Sequence, residues 1–394
     1  MTAYRAAWIC PIDRPPIRDG IVQVEGGRIT GIGDQGPGSR DLGNVVLMPG
    51  LINAHIHLEL SWLRGRVPQA GRFTDWVKQL LAIRRGVELP DDPAVLEPLR
   101  AAIRELQASG TVAVGDISNS LASPPLLRAA GLDGIVFHEL LGFNERDGAL
   151  VKRTRAARAG KVGCVSLAPH APYSTSPELF QAIRAEVGAS TCPIMSVHLG
   201  ESPEETELLA SGTGPWRGML EFIGMWRDDW AIPGCGPVEY LDRLGVIDAH
   251  TLVVHGVQFD EAALARLAAT GATLVTCPRS NQWVGVGLPP IQRFYDSEVP
   301  VAIGTDSLAS VDDLNLFSEL KTMRWIAPAV PAAKLLASAT LIGARALGLG
   351  RELGSLTPGK RAEILAIELP GPVDDIEEHL VSGVDPARIS LLKP

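Results

Sequence analysis

Apolar and polar residues alternate over short stretches at both ends of the chain and recur at helical spacing through its middle. Ile21–Glu25 and Arg28–Gly33 read as strands, and Gly26-Gly27 between them suits a hairpin turn. Near the other end, residues 354–361 are rich in turn formers and residues 362–367 read as a strand. The two β-rich ends predict one small sheet domain built from both termini. In the middle, Phe73, Trp76, Val77, Leu80 and Leu81 follow helical spacing, as do Leu96, Leu99, Ile103 and Leu106, with Gly110 as a stop. Residues 111–116 read as a buried strand, followed by strand candidates at 162–168, 193–197, 251–254, 272–276 and 301–304. Ser176-Pro177-Glu178 offers an N-cap with proline at the first helical position. Repeated β-then-α predicts an α/β fold with parallel strands covered on both faces. Periodicity alone fits a closed barrel and an open sheet equally well.

Composition narrows the setting. Of 394 residues, 46% are apolar, enough for a sizeable core. The formal charge of -9 disfavours a nucleic-acid partner. No unbroken apolar run reaches the roughly 18 residues of a membrane span, and the first residues lack the pattern of a signal peptide. Cys10, Cys164, Cys192, Cys235 and Cys277 are scattered and form no CxxC pair, which argues against a cysteine zinc site or a disulfide scaffold. Cys164 and Cys277 read as small apolar fillers. The expectation is a reducing, cytoplasmic location.

Four segments carry chemistry. In Pro49-Gly50-Leu51-Ile52-Asn53-Ala54-His55-Ile56-His57, the two histidines lie two apart on a strand and so share a face, as two ligands of one metal must. Alone, the pair equally fits two unrelated buried histidines. Three further strand ends change that. His198 follows Met195-Ser196-Val197, with Glu201 three residues on. His255 follows Leu252-Val253-Val254, and Asp306 follows residues 301–304. A closed ring of parallel strands gathers its C-terminal ends on one face, where these groups could meet. An open sheet would hold them apart, so the prediction is a (β/α)8 TIM-like barrel. The expected boundaries are a β-sandwich from 1–48 and 351–394, with the barrel at 49–350.

Taken together, these segments resemble the amidohydrolase superfamily over essentially the whole chain. Within it, His198-Leu199-Gly200-Glu201, Ala168-Pro169-His170-Ala171-Pro172-Tyr173-Ser174 and Thr276-Cys277-Pro278-Arg279-Ser280-Asn281 resemble the branch of cytosine, guanine, S-adenosylhomocysteine and triazine deaminases. Binuclear relatives carry a bridging lysine after the fourth strand, where this chain has Ala168-Pro169-His170; Lys161 precedes that strand. The resemblance therefore implies one divalent metal, zinc with iron or manganese as alternatives, held by His55, His57, His198 and Asp306. It implies catalytic roles for Glu201 as proton donor to the substrate ring, Asp306 as acceptor of the water's proton, and His255 as hydrogen-bond partner of the attacking oxygen.

The expected substrate is a small aminated heterocycle. Glu59, His170, Arg279 and Ser307 are the candidate contacts. Glu59 could instead pair with Arg64, and Arg279 could be a surface cation. His138 reads as structural, at a position after the third strand. Residues 202–250, with Trp216, Trp226 and Trp230, read as a lid, a subunit contact or an extra helical pair packed on the body. The string His55-Ile56-His57-Leu58-Glu59-Leu60-Ser61 with Pro278-Arg279-Ser280-Asn281 resembles aminodeoxyfutalosine deaminases of menaquinone biosynthesis. That resemblance implies a carboxylate-bearing adenine nucleoside. Other reactions of the superfamily, a non-catalytic scaffold and a homodimer are the remaining expectations.

Overall fold

The computed structural model describes residues 1–33, 38–84, 92–161 and 163–392. Its centre holds eight parallel strands, numbered here in chain order: β1 (Leu51–Ile56), β2 (Thr111–Ser118), β3 (Asp133–Leu140), β4 (Cys164–Pro169), β5 (Met195–Leu199), β6 (Thr251–His255), β7 (Thr273–Thr276) and β8 (Val301–Ile303). They form two four-stranded sheets, ordered β4-β3-β2-β1 and β5-β6-β7-β8. Helices such as Pro93–Ala108, Pro177–Gly188 and Glu261–Thr270 follow the strands. Each has a side-chain cap: Asp92, Ser176 and Asp260 accept from backbone amides of the first turn.

Most strand residues are apolar and buried on both faces, which is why the strands read as unbroken apolar runs rather than alternating ones. Burying one of their Leu, Val or Ile side chains contributes roughly 1.5–3 kcal/mol. Except for Asp133, the histidines and carboxylates of these strands (His55, Asp116, His138, Glu139, His198 and His255) lie toward the C-terminal ends.

Hydrogen bonds cross both junctions between the sheets. At one, the amides of Thr305 and Asp306 both donate to the His55 carbonyl at 3.1 Å. A Cβ on Gly304 would lie 2.6 Å from that carbonyl oxygen, so only glycine permits this approach. At the other, Ser166 Oγ donates to the Ile194 carbonyl at 2.5 Å, and the His198 amide donates to the His170 carbonyl at 3.0 Å.

The same junction corrects an expectation. Cys164 is no apolar filler: it forms a disulfide with Cys192, Cα to Cα 6.1 Å. The two lie 28 residues apart, and only the placement of β4 beside the start of β5 brings them together. The strand expected at 162–168 is observed from Cys164 to Pro169; Val162 lies outside the described residues. His138 lies inside β3 rather than after it.

Strands from both chain ends meet in a separate five-stranded sheet. Val45–Pro49 pairs there with Ile364–Glu368, which also pairs with Ile389–Leu392. A four-stranded sheet contains Thr2–Arg5, Ile21–Glu25 and Arg28–Gly33. Tyr4, Ile9, Val22, Ile29, Leu47 and Ile364 are buried together between these elements. Between β5 and β6, residues 202–250 contain the helices Pro203–Ser211, Pro215–Phe222 and Pro237–Arg243. Trp216 and Trp230 are buried, and Trp216 stacks on Tyr173 at 3.9 Å between ring centroids. Among the described residues, no helix is long and apolar enough to cross a membrane.

Candidate active site

His55 is the penultimate residue of β1, fully buried, and among the described residues neither of its ring nitrogens has a hydrogen-bond partner. An unsatisfied buried imidazole is costly unless something absent from the protein's own hydrogen bonds engages it. His57, one residue past the strand, has its Nε2 3.3 Å from Nε2 of His198 at the end of β5. The ligand atoms of His55, His57 and His198 all lie within 4.8 Å of one another. Asp306, just after β8, places Oδ1 3.5 Å from His57 Nε2 and 3.8 Å from His55 Nε2. Three nitrogens and a carboxylate oxygen thus surround one point, a donor set that fits a divalent cation such as zinc.

Electrostatics agrees with that use. Burial pushes His55 well below its ordinary pKa, His57 to about 3 and His198 to about 4, with neighbouring imidazoles adding to the effect. Neutral imidazoles keep their lone pairs for a metal. The other nitrogen of His198, Nδ1, donates to the His170 carbonyl at 2.9 Å, which leaves Nε2 as the ligating atom.

Beside this cluster lie Glu201 and His255. Glu201 is 3% exposed, and its Oε1 is 3.6 Å from His255 Nε2. Burial and then the nearby Asp306 raise its pKa well above the usual carboxylate range, which favours the protonated carboxyl. His255 and Asp306 both adopt left-handed backbone conformations, at φ 79° and 61°. Such angles at non-glycine residues cost energy and recur where a side chain must be aimed.

The sequence reading missed several supporting residues. Glu205, in the first turn of helix Pro203–Ser211, accepts from the amides of Gly200 at 3.0 Å and Glu201 at 3.1 Å, fixing the backbone that carries Glu201. Ser280 Oγ donates to Asp306 Oδ2 at 2.6 Å, leaving Oδ1 facing the histidines. Asn281 Nδ2 lies 3.0 Å from His255 Nδ1; donation there puts the ring's own proton on Nε2, toward Glu201. Asp116 on β2 accepts from the Leu58 amide at 2.9 Å and from Ser123 Oγ, pinning the turn after His57. Ser280, Asn281 and Asp116 come from other strands and loops, so spacing along the chain could not reveal them; Glu205 lies four residues after Glu201 in a Ser202-Pro203-Glu204-Glu205 capping pattern, a local signal.

The candidate substrate contacts fare differently. His170 follows β4 with its side chain partly exposed, its ring 4.9 Å from that of His198 between centroids. Glu59 is corrected: it does not pair with Arg64, which instead joins Glu105. Its carboxylate accepts four bonds from the loop after β2: Ser118 Oγ at 2.9 Å, the Asn119 amide at 2.9 Å, the Ser120 amide at 3.1 Å and Ser120 Oγ at 2.8 Å. A buried carboxylate so satisfied is a loop anchor rather than an open contact. Arg279 is likewise engaged, at 2.8 Å by Asp313 and 3.7 Å by Glu319. Ser307 is buried, its hydroxyl 3.4 Å from Ser310 Oγ. His138 is buried, its Nδ1 has no hydrogen-bond partner among the described residues, and burial lowers its pKa to about 4. Lys161 donates to the Leu121 carbonyl.

Comparison with known proteins places this geometry in context. Over 400 residues the chain is 28% identical to a 5-methylthioadenosine/S-adenosylhomocysteine deaminase of Moorella thermoacetica, covering 95% of this chain and 88% of that one. Its structure superposes on an aminofutalosine deaminase of Helicobacter pylori in complex with methylthio-coformycin, with a TM-score of 0.83, 25% identity, and coverage of 99% and 100%. An adenosine deaminase from Xanthomonas campestris with bound zinc matches at a TM-score of 0.81, with 25% identity and coverage of 98% and 90%. The profile of the amidohydrolase family matches residues 46–390, from the strand before His55 to the last strand of the terminal sheet, and the chain belongs to that family.

Proposed function

We propose that this protein is a metal-dependent hydrolytic deaminase of an adenine nucleoside, releasing ammonia. The observation that carries the reading is the buried Glu201 carboxyl, held beside His255 and next to the His55, His57, His198 and Asp306 donor set. Relatives named as deaminases of adenosine-type compounds support it. One bound cation would lower the pKa of a water from about 15.7 toward about 7. Asp306 Oδ1 accepts that water's proton while Ser280 holds Oδ2. His255, with its proton on Nε2, hydrogen-bonds the attacking oxygen. Glu201 gives its proton to the ring nitrogen beside the C–NH2 carbon, making that carbon electrophilic; Asp306 then passes the proton it accepted to the amine, which leaves as ammonia, and the remaining hydroxyl proton returns to Glu201 as the carbonyl forms.

The eight strands form a closed barrel on this reading, supported by the bonds across both junctions. A terminal β-sandwich from 1–48 and 351–394 would flank a catalytic domain at 49–350. Aminodeoxyfutalosine is the preferred substrate. With Arg279 engaged elsewhere, Arg84 at the end of helix Phe73–Arg84 is the cation assigned to its carboxylate; the charge of Arg84 bears on both His57 and His170.

The test combines elemental analysis with ammonia release from adenosine, methylthioadenosine, S-adenosylhomocysteine, aminodeoxyfutalosine, cytosine, guanine and an aminotriazine. The expected result is one divalent metal per chain, release from adenine nucleosides, fastest with aminodeoxyfutalosine, and activity lost on chelation and restored by zinc. Release from a pyrimidine or triazine with none from any adenine nucleoside would overturn the assignment.

A further inference from the structure

We propose that Arg279 and Glu319 are a pair of positioning residues that aim Asp306 and His255 together, by fixing the short helix that carries Ser280 and Asn281. The inference rests on the deaminase reading above. In the order β5-β6-β7-β8, β7 lies between the strand that ends at His255 and the strand that precedes Asp306. The helix Pro278–Trp283 follows β7 after Cys277 alone, so it stands between those two groups. Two consecutive residues divide the work. Ser280 Oγ donates to Asp306 Oδ2 at 2.6 Å, and Asn281 Nδ2 donates to His255 Nδ1 at 3.0 Å. The setting of one helix thus decides the aim of two side chains from two strands.

So short a helix does not hold its own setting. Its first amides have no acceptor within the helix, and a segment of this length is not stable by itself. Glu319 supplies an acceptor from elsewhere: its Oε2 takes the Arg279 amide proton at 3.2 Å. Glu319 stands in the first turn of the helix Leu316–Ile326, its side chain 0% exposed, and its Oε1 lies 3.7 Å from Arg279 Nε. That oxygen has no hydrogen-bond partner among the described residues, so it is free to face the guanidinium. Arg279 Nη1 donates to Asp313 Oδ1 at 2.8 Å. Arg279 is therefore gripped at its backbone and at its tip. The other end of the helix is tied separately, by Trp283 Nε1 donating to the Val67 carbonyl at 3.2 Å.

Grips at two depths on one residue oppose rotation about the helix axis, and rotation is the motion to which Ser280 and Asn281 are sensitive. On a helix of about 2.3 Å radius, a turn of about 20° carries each Cα by about 0.8 Å. That is enough to break bonds of 2.6 and 3.0 Å, and a misplacement of about 1 Å can cost about a hundredfold in rate. The polar groups of Arg279 are spent on protein partners, so its influence on the chemistry runs through the helix.

The test is a mutant cycle on kcat per bound metal, with adenosine and aminodeoxyfutalosine as substrates. Arg279→Met should lower kcat by about 10- to 100-fold on both substrates, with KM within about threefold. In a Ser280→Ala/Asn281→Ala background the same change should cost less than about threefold, because the bonds it disturbs are already gone. Glu319→Gln keeps an oxygen for the Arg279 amide and should slow turnover only about two- to fivefold, whereas Glu319→Ala should match Arg279→Met. Equal losses in the two backgrounds would overturn the proposal. A loss confined to aminodeoxyfutalosine would overturn it as well, making Arg279 a contact for the substrate's carboxylate. A crystal structure of Arg279→Met gives a reading that does not depend on turnover: Ser280 and Asn281 should have left bonding distance of Asp306 and His255, and unchanged distances would refute the pair. A wild type that deaminates no adenine nucleoside, alongside displaced Ser280 and Asn281 in the variant, would refute the nucleoside reading and leave the positioning role standing.

Discussion

The two four-stranded sheets contribute unequally to the site. The β5–β8 sheet and its loops supply Glu201, His255 and Asp306, and each of these has a dedicated partner in Glu205, Asn281 or Ser280. The β1–β4 sheet supplies His55 and His57, and then a set of carboxylates whose visible bonds hold loops: Glu59 across residues 118–120 and Asp116 on Leu58. On the proposed reading, one sheet would move protons and the other would hold the metal and the loops around it. The difference teaches that burial of a carboxylate does not by itself mark a catalyst. Glu59 and Glu201 are both buried, but Glu59 is saturated with donors, and among the described residues the carboxylate of Glu201 accepts no hydrogen bond. A carboxylate without donors keeps its proton, and that proton is what the chemistry needs.

The contrast can be broken most sharply at Glu201. Glu201→Gln should retain the full metal content and lose at least about a thousandfold in kcat, because the side chain can no longer give up a proton. Retained turnover would erase the division between the sheets. The matched change in the other sheet is Glu59→Gln, which presents an amide to donors that need an acceptor. It should lower unfolding free energy by about 3 kcal/mol in denaturant titrations while kcat stays within about fivefold. If kcat fell as far as in the Glu201 variant, the loop-anchor role would be wrong.

The subtlest test is one of pH. Burial raises Asp116 to about 7 in the folded chain, above its ordinary value of 3.8, so the folded state holds this proton more tightly than the unfolded state does. The associated stability is fully present below about pH 4 and is lost as pH rises to about 7. Asp116→Asn should flatten that part of the stability curve, which melting temperatures of wild type and variant from pH 4 to 8 would reveal. Parallel curves would show that Asp116 does not titrate in this window.

What the sequence disclosed follows the same division. His55, His57, His198, His255 and Asp306 were legible because each ends an apolar run, and strand ends are where parallel sheets gather polar groups. The parallel α/β architecture was legible for a similar reason, since doubly covered strands read as continuous apolar segments. Residues 133–140 were harder to read as a strand because Asp133, His138 and Glu139 interrupt the apolar pattern. Ser280, Asn281 and the Cys164–Cys192 pair act through contacts between separate elements, which no local pattern encodes, whereas Glu205 acts on residues four and five positions before it. Arg279 and Glu59 misled for the converse reason: a charged residue at a strand end looks available until its partners from other loops are seen.

The left-handed backbones of His255 and Asp306 carry an evolutionary consequence. Each position holds a side chain where glycine would be more comfortable, at a cost on the order of 1 kcal/mol or more. A laboratory population screened for heat resistance alone would drift toward glycine at both places and lose the catalyst as it gained robustness. Screening for turnover as well is what would keep the two strained residues in the gene pool.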